Sequence, residues 1–135
     1  MIKGFTLVEL VIVIVIVGIL SIVAVPIYRS YFRKAMTTEG KAVLGVIQMS
    51  ERAYFSENAK YLGVEETTGF NERLDIDTRP NKYFKTFTII SNDETGDDAR
   101  YTAITTGTGD ASGISLSIVG QPKGEISFNE EGLNA

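Results

Sequence analysis

Glu9 is the residue whose type and place most clearly imply chemistry. It is the single acid among residues 1–34, and residues 10–27 behind it form an 18-residue run without a charge. A carboxylate beside such a run is costly in lipid unless it reaches the interface or meets a partner charge. Other groupings are weaker. Asp93, Glu94, Asp97 and Asp98 share one turn. Calcium needs about six to eight oxygens on a suitably spaced loop, and this spacing is not an EF-hand, so a solvated turn is expected. Gly107-Thr108-Gly109 is not followed by the Gly-Lys-Ser/Thr of a phosphate loop. The chain has neither His nor Cys. That excludes a disulfide framework, a thiolate site and the usual catalytic triads. No enzyme activity, cofactor or metal site is expected.

The elements that must position Glu9 follow from composition. Residues 1–34 carry Lys3, Arg29, Arg33 and Lys34 against Glu9, a net of +3, while the remaining 101 residues carry nine basic and 16 acidic residues, a net of −7. An apolar, basic-flanked start is joined to an acidic remainder. That remainder argues against nucleic-acid binding by one copy, since a phosphate backbone needs clustered Lys and Arg. As a helix, 18 residues span about 27 Å, close to the thickness of a bilayer core. The many Val and Ile would favour a strand in water, but an open strand in lipid leaves backbone groups unpaired, so a helix is required. The run is too long for an ordinary secretory signal and lacks a small-residue cleavage site after it.

Gly4-Phe5-Thr6-Leu7-Val8-Glu9-Leu10, after a short leader containing Lys3 and before the apolar run, resembles the N-terminal signature of type IV pilins and type II secretion pseudopilins. The likeness is strong over residues 1–30 and looser to residue 62. It implies that Gly4 ends a leader removed by a prepilin peptidase in the membrane. It also implies that Phe5 becomes an N-methylated N-terminus and that Glu9 pairs with the Phe5 ammonium of a neighbouring subunit. Ordered growth of a helical homopolymer on an inner-membrane assembly platform would follow, with the precursor in the bacterial inner membrane. A pilus subunit is favoured over a secretion pseudopilin. A monomeric membrane-tethered binding module is the reading from another class, and it needs neither Glu9 nor the Gly4-Phe5 junction. Pro26 interrupts the helix bonding and Gly18 weakens it. Each is compatible with a mild irregularity or, on the resemblance, with unwinding in a filament.

The expected fold is α+β. A long N-terminal helix, half transmembrane and half amphipathic, packs on an antiparallel sheet of three or four strands. The divisions are a leader at 1–4, a transmembrane and polymerisation helix at 5–27, an amphipathic helix at 28–62 and a head at 63–135. Val43, Val46, Ile47, Ser50, Ala53 and Tyr54 make the apolar stripe, with Glu39, Lys41, Glu51 and Arg52 off it. The helix should stop near residues 58–63. Phe5, Tyr28, Tyr31, Phe32, Tyr54, Phe55 and Tyr61 are expected along it. Residues 63–82 read as a connecting loop with one short helical turn near 72–74. Strands are expected at 83–91, 100–108, 114–119 and 125–129.

Overall fold

The computed structural model describes residues 4–123 and 127–132. One helix, α1 (Leu7–Asn58), holds 52 residues, and at ~1.5 Å per residue is about 78 Å long. Thr6 caps its start, so Phe5 lies outside it. Ala59 ends it in the left-handed conformation, φ 54°, with its N–H donated to the Phe55 carbonyl. Residues 59–62, expected in the helix, therefore form a link beyond it, and Tyr61 is on that link. The helix runs through Gly18 and Pro26 without interruption.

Seven strands follow: β1 (Val64–Thr68), β2 (Phe70–Asn71), β3 (Ile76–Asp77), β4 (Thr86–Ser91), β5 (Tyr101–Thr106), β6 (Ser115–Gly120) and β7 (Ser127–Glu131). Five make one antiparallel sheet in the order β1-β4-β5-β6-β7, and β2 and β3 form a small hairpin. The fold class holds, and the main sheet has one strand more than the four expected. The extra strand, β1, lies in the stretch read as a loop. Its Val-Glu-Glu-Thr-Thr sequence hides an edge strand that buries Val64 and leaves its acids in water. Residues 72–74, expected as a short helical turn, lie instead in the turn of the hairpin at 72–75. Thr78 clasps that hairpin to the sheet, donating from Oγ1 to the Lys85 carbonyl at 2.5 Å and accepting from the Gly69 N–H at 3.1 Å. β7 runs to Glu131, two residues past the expected end; Glu125 and Ile126, on which the expectation partly rested, lie outside the described residues.

The core lies between the second half of α1 and the inner face of the sheet. Met36, Val43, Leu44 and Ile47 meet Phe87, Ile89, Ala103, Leu116 and Ile118, all buried. Side chains of this size contribute roughly 1.5–3 kcal/mol each on full burial. Helix and sheet approach most closely at Gly40, where an added Cβ would stand 2.5 Å from Leu116 Cδ1 and 2.9 Å from a Phe84 ring carbon. The stripe is rotated from its expected position. Val46 and Ala53 are exposed, and Glu51, expected off the stripe, is buried.

Candidate functional site: one helix and three glutamates

The first half of α1 has no partner in its own chain. Every residue from 4 to 32 is exposed, and the segment is long and apolar enough to cross a membrane. Phe5 is 84% exposed, and Leu7, Val8 and Leu10 stand clear beside it. Tyr28 and Phe32 stack at 6.2 Å just beyond the charge-free run. Arg33 turns back to the head and donates to the Gly132 carbonyl at 2.7 Å, while Lys41 pairs with Glu130, so the helix fastens β7 and the residue that follows it.

At the tip, the sequence Thr6-x-x-Glu9 folds into a capping box. The Glu9 N–H donates to Thr6 Oγ1 at 3.3 Å. The Thr6 N–H and hydroxyl both donate to Glu9 Oε2, at 2.9 and 2.7 Å. Glu9 thus satisfies orphan donors at the start of its own helix, where the helix dipole favours negative charge. Both hydrogen bonds go to one oxygen, and the carboxylate is open to a further charge. Of the residues singled out in the sequence, the structure places Gly4, Phe5 and Glu9 within two turns at an exposed tip. Gly18 and Pro26 lie farther along the bare helix and are not brought together with them. Thr6 is the missed member, and the Thr-x-x-Glu spacing is the signal that could have found it.

Two more glutamates on α1 face the head. Glu39 accepts three backbone N–H groups: Lys82 at 3.0 Å, Tyr83 at 2.6 Å and Phe84 at 2.7 Å. Partial burial works against its ionised form. The three N–H bonds and the Lys85 charge outweigh that and hold the carboxyl below its ordinary range. The same bonds explain why β4 begins at Thr86 and not at Tyr83. The backbone donors at 82–84 point at the helix and are spent there. Glu51 is wholly buried, with one bond, the Leu62 N–H to Oε2 at 2.9 Å. Burial pushes its carboxyl up to about 7, against the pull of that bond. A helical-phase signal existed for both, since 39, 43, 47 and 51 follow at four-residue steps through buried Val43 and Ile47.

The acidic turn stays in water. Asp93, Glu94, Asp97 and Asp98 are exposed, and Asp97 pairs with Lys123 at 2.5 Å. Among the described residues no group of three acids is placed to hold a metal ion.

Comparison with known proteins meets this geometry at the N-terminus. The family described as the prokaryotic N-terminal methylation motif matches residues 1–25. The type IV major pilin protein PilA of Myxococcus xanthus (strain DK1622) is 34% identical over 68 residues, covering 50% of this chain and 31% of that protein. The type IV major alpha-pilin of Moraxella bovis is 40% identical over 74 residues, 55% of this chain and 46% of that one. A fimbrial protein of Neisseria meningitidis serogroup B (strain ATCC BAA-335 / MC58) is 33% identical over 87 residues, 64% of this chain and 49% of that one. The chain spans less than half the length of each of these three relatives. No solved structure matches it. The chain thus carries a methylation motif at its tip and a bare apolar half-helix behind it, and over about half its length it is similar to type IV major pilins.

Proposed function

We propose that the chain is a structural subunit of a type IV pilus filament. It begins as a membrane-anchored precursor, is cut by a prepilin peptidase between Gly4 and Phe5, and is N-methylated at Phe5. The observation that supports this reading most is the bare first half of α1, exposed from residue 4 to 32 with one acid, Glu9, at its tip. In the membrane, lipid covers this surface. In a filament, the same surface of identical copies covers it instead. The Phe5 ammonium made by cleavage is a charge that would otherwise stand unpaired, and the open Glu9 carboxylate of a neighbour is its match. Such a pair fixes register between helices, the best-attested use of a buried charge pair. Extraction from the membrane is the task of an assembly platform in the inner membrane. The filament then carries the acidic heads outside. Gly18 and Pro26 are where the helix would stretch as copies pack, because each weakens backbone bonding there.

Glu9→Gln tests the pairing. It keeps size and hydrogen bonding but leaves the neighbour's ammonium unmatched, and breaking one half of a buried pair costs about 3–5 kcal/mol. Membrane-bound precursor should remain at its usual abundance while sheared surface filaments disappear. A normal filament yield would remove the role given to Glu9. N-terminal sequencing of native material should begin at Phe5; material that keeps Lys3 in a host with the peptidase would overturn the cleavage.

A further inference from the structure

The end of α1 is held by a carboxyl group in an unusual setting. Glu51 is 0% exposed. Its Oε2 accepts one N–H, from Leu62, and Oε1 has no partner among the described residues. The hydroxyl of Tyr101 on β5 is also buried without one. Three rings join the helix end, the link and the sheet here: Phe55 stacks on Tyr61 at 4.8 Å, and Tyr61 tilts against Tyr101 at 4.8 Å. Gly120 on β6 makes the room, since a Cβ there would overlap the Tyr101 ring. The left-handed turn at Ala59 brings Leu62 back over Glu51, and Ala59 is also tied to the next loop by the Gly96 N–H at 2.8 Å.

We propose that Glu51 is a proton-operated latch on the end of α1: the neutral acid keeps the 59–62 link docked on β5, and its ionisation frees that link while the centre of the sheet stays folded. A carboxylate with a single hydrogen bond in an apolar core is poorly compensated. Its route to water is through the link, which is short, has one bond to Glu51 and is flanked by exposed residues on both sides. The surrounding groups offer no counter-charge. Burial and the Glu51 charge both raise Tyr101, to about 12, so it is a neutral phenol at any physiological pH. Tyr61 is raised by burial and by Glu51, against Arg52. Arg52 is exposed on the same helix, and the acids of the 93–98 loop are exposed and of the same sign.

The pH window follows from the group itself. In the unfolded chain a glutamate loses its proton near 4.5, and in the folded chain Glu51 keeps it to about 7. Between those values the folded form binds a proton that the unfolded form has lost. Stability from this site is therefore full below 4.5, falls as pH rises through the window, and is lost above 7.

Hydrogen exchange on the full chain in detergent micelles tests the latch, with protection factors corrected for the intrinsic rate. Between pH 5.5 and pH 8.5 the Leu62 amide should lose about tenfold or more in protection and should stay at least tenfold less protected than Ala103 at the centre of the sheet, because it exchanges from an open state in which the sheet is still folded. Glu51→Gln keeps an acceptor for Leu62 and should remove the pH dependence. Equal Leu62 protection at both pH values, Leu62 protection equal to that of Ala103 at pH 8.5, or the same fall in Glu51→Gln would each overturn the proposal. Should that variant not fold, the carboxyl 13C resonance of Glu51 in the unaltered chain decides: a midpoint near 7 supports the latch, and one below 5 overturns it.

Discussion

Glu39 and Glu51 stand about three turns apart on one helix, both aimed at the head, and their carboxyl groups are held in opposite states. Glu39 is half-buried and takes three backbone N–H groups. Glu51 is fully buried and takes one. The first is a fixed anion that pins a loop. The second is an acid that the core keeps protonated. What separates them is the number of donors turned toward the oxygens, set against the water removed. Glu9, at the tip of the same helix, is a third case: it is exposed, and the donors it takes come from the first turn of its own helix.

The comparison breaks most sharply at Glu39. Glu39→Ala strands three backbone donors, two of them on half-buried or buried residues, and should cost about 3 kcal/mol, since hydrogen bonds to charged groups are worth roughly 1.5–3 kcal/mol each and are not additive. Urea unfolding of the full chain in detergent at pH 7 measures it. Because the Glu39 carboxyl is held below its ordinary value, its contribution is present above about 4.5 and is lost as pH falls through the lower folded value. The cost of Glu39→Ala should shrink accordingly at pH 3.

The opposite sign is expected at Glu51. Glu51→Gln should be nearly neutral at pH 4.5 and should stabilise the chain by about 2 kcal/mol at pH 8.5, where the native carboxyl is ionised in the core. A destabilisation at both pH values, read from the same unfolding curves, would place Glu51 with Glu39 and erase the contrast.

Gly40, between the two glutamates, sharpens the geometry. Gly40→Ala puts a methyl against Leu116 and Phe84, and overpacking there should cost about 1–3 kcal/mol even though Ala favours a helix by up to ~1 kcal/mol. A gain in melting temperature would mean that helix and sheet are farther apart than described. The smallest effect is expected at Asp77, an exposed carboxylate that Arg79 holds at about 2 by hydrogen bonds from its guanidinium and its backbone N–H. Asp77→Asn should leave the melting curve at pH 7 within its error, because an exposed pair in water contributes little.

The sequence by itself determined the apolar first half of α1 and its tip. Eighteen uncharged residues can satisfy their backbone in lipid in one way, as a helix, and Glu9 is conspicuous because nothing near it shares its charge. Strands with clean alternation, such as Ile114, Leu116 and Ile118, were also legible within a residue, because a period of two reports which face is buried. What the tertiary structure decided is where polar residues serve the core. Edge strand β1 has one buried residue in five and no apolar run to betray it. Glu39 and Glu51 look like any solvated glutamates in the sequence, and the donors that distinguish them come from residues 43 and 11 positions or more away. Local patterns record how much apolar surface a segment must hide. They do not record which distant N–H groups the chain will bring to a carboxylate, and that count sets whether the carboxylate is an anchor or a latch.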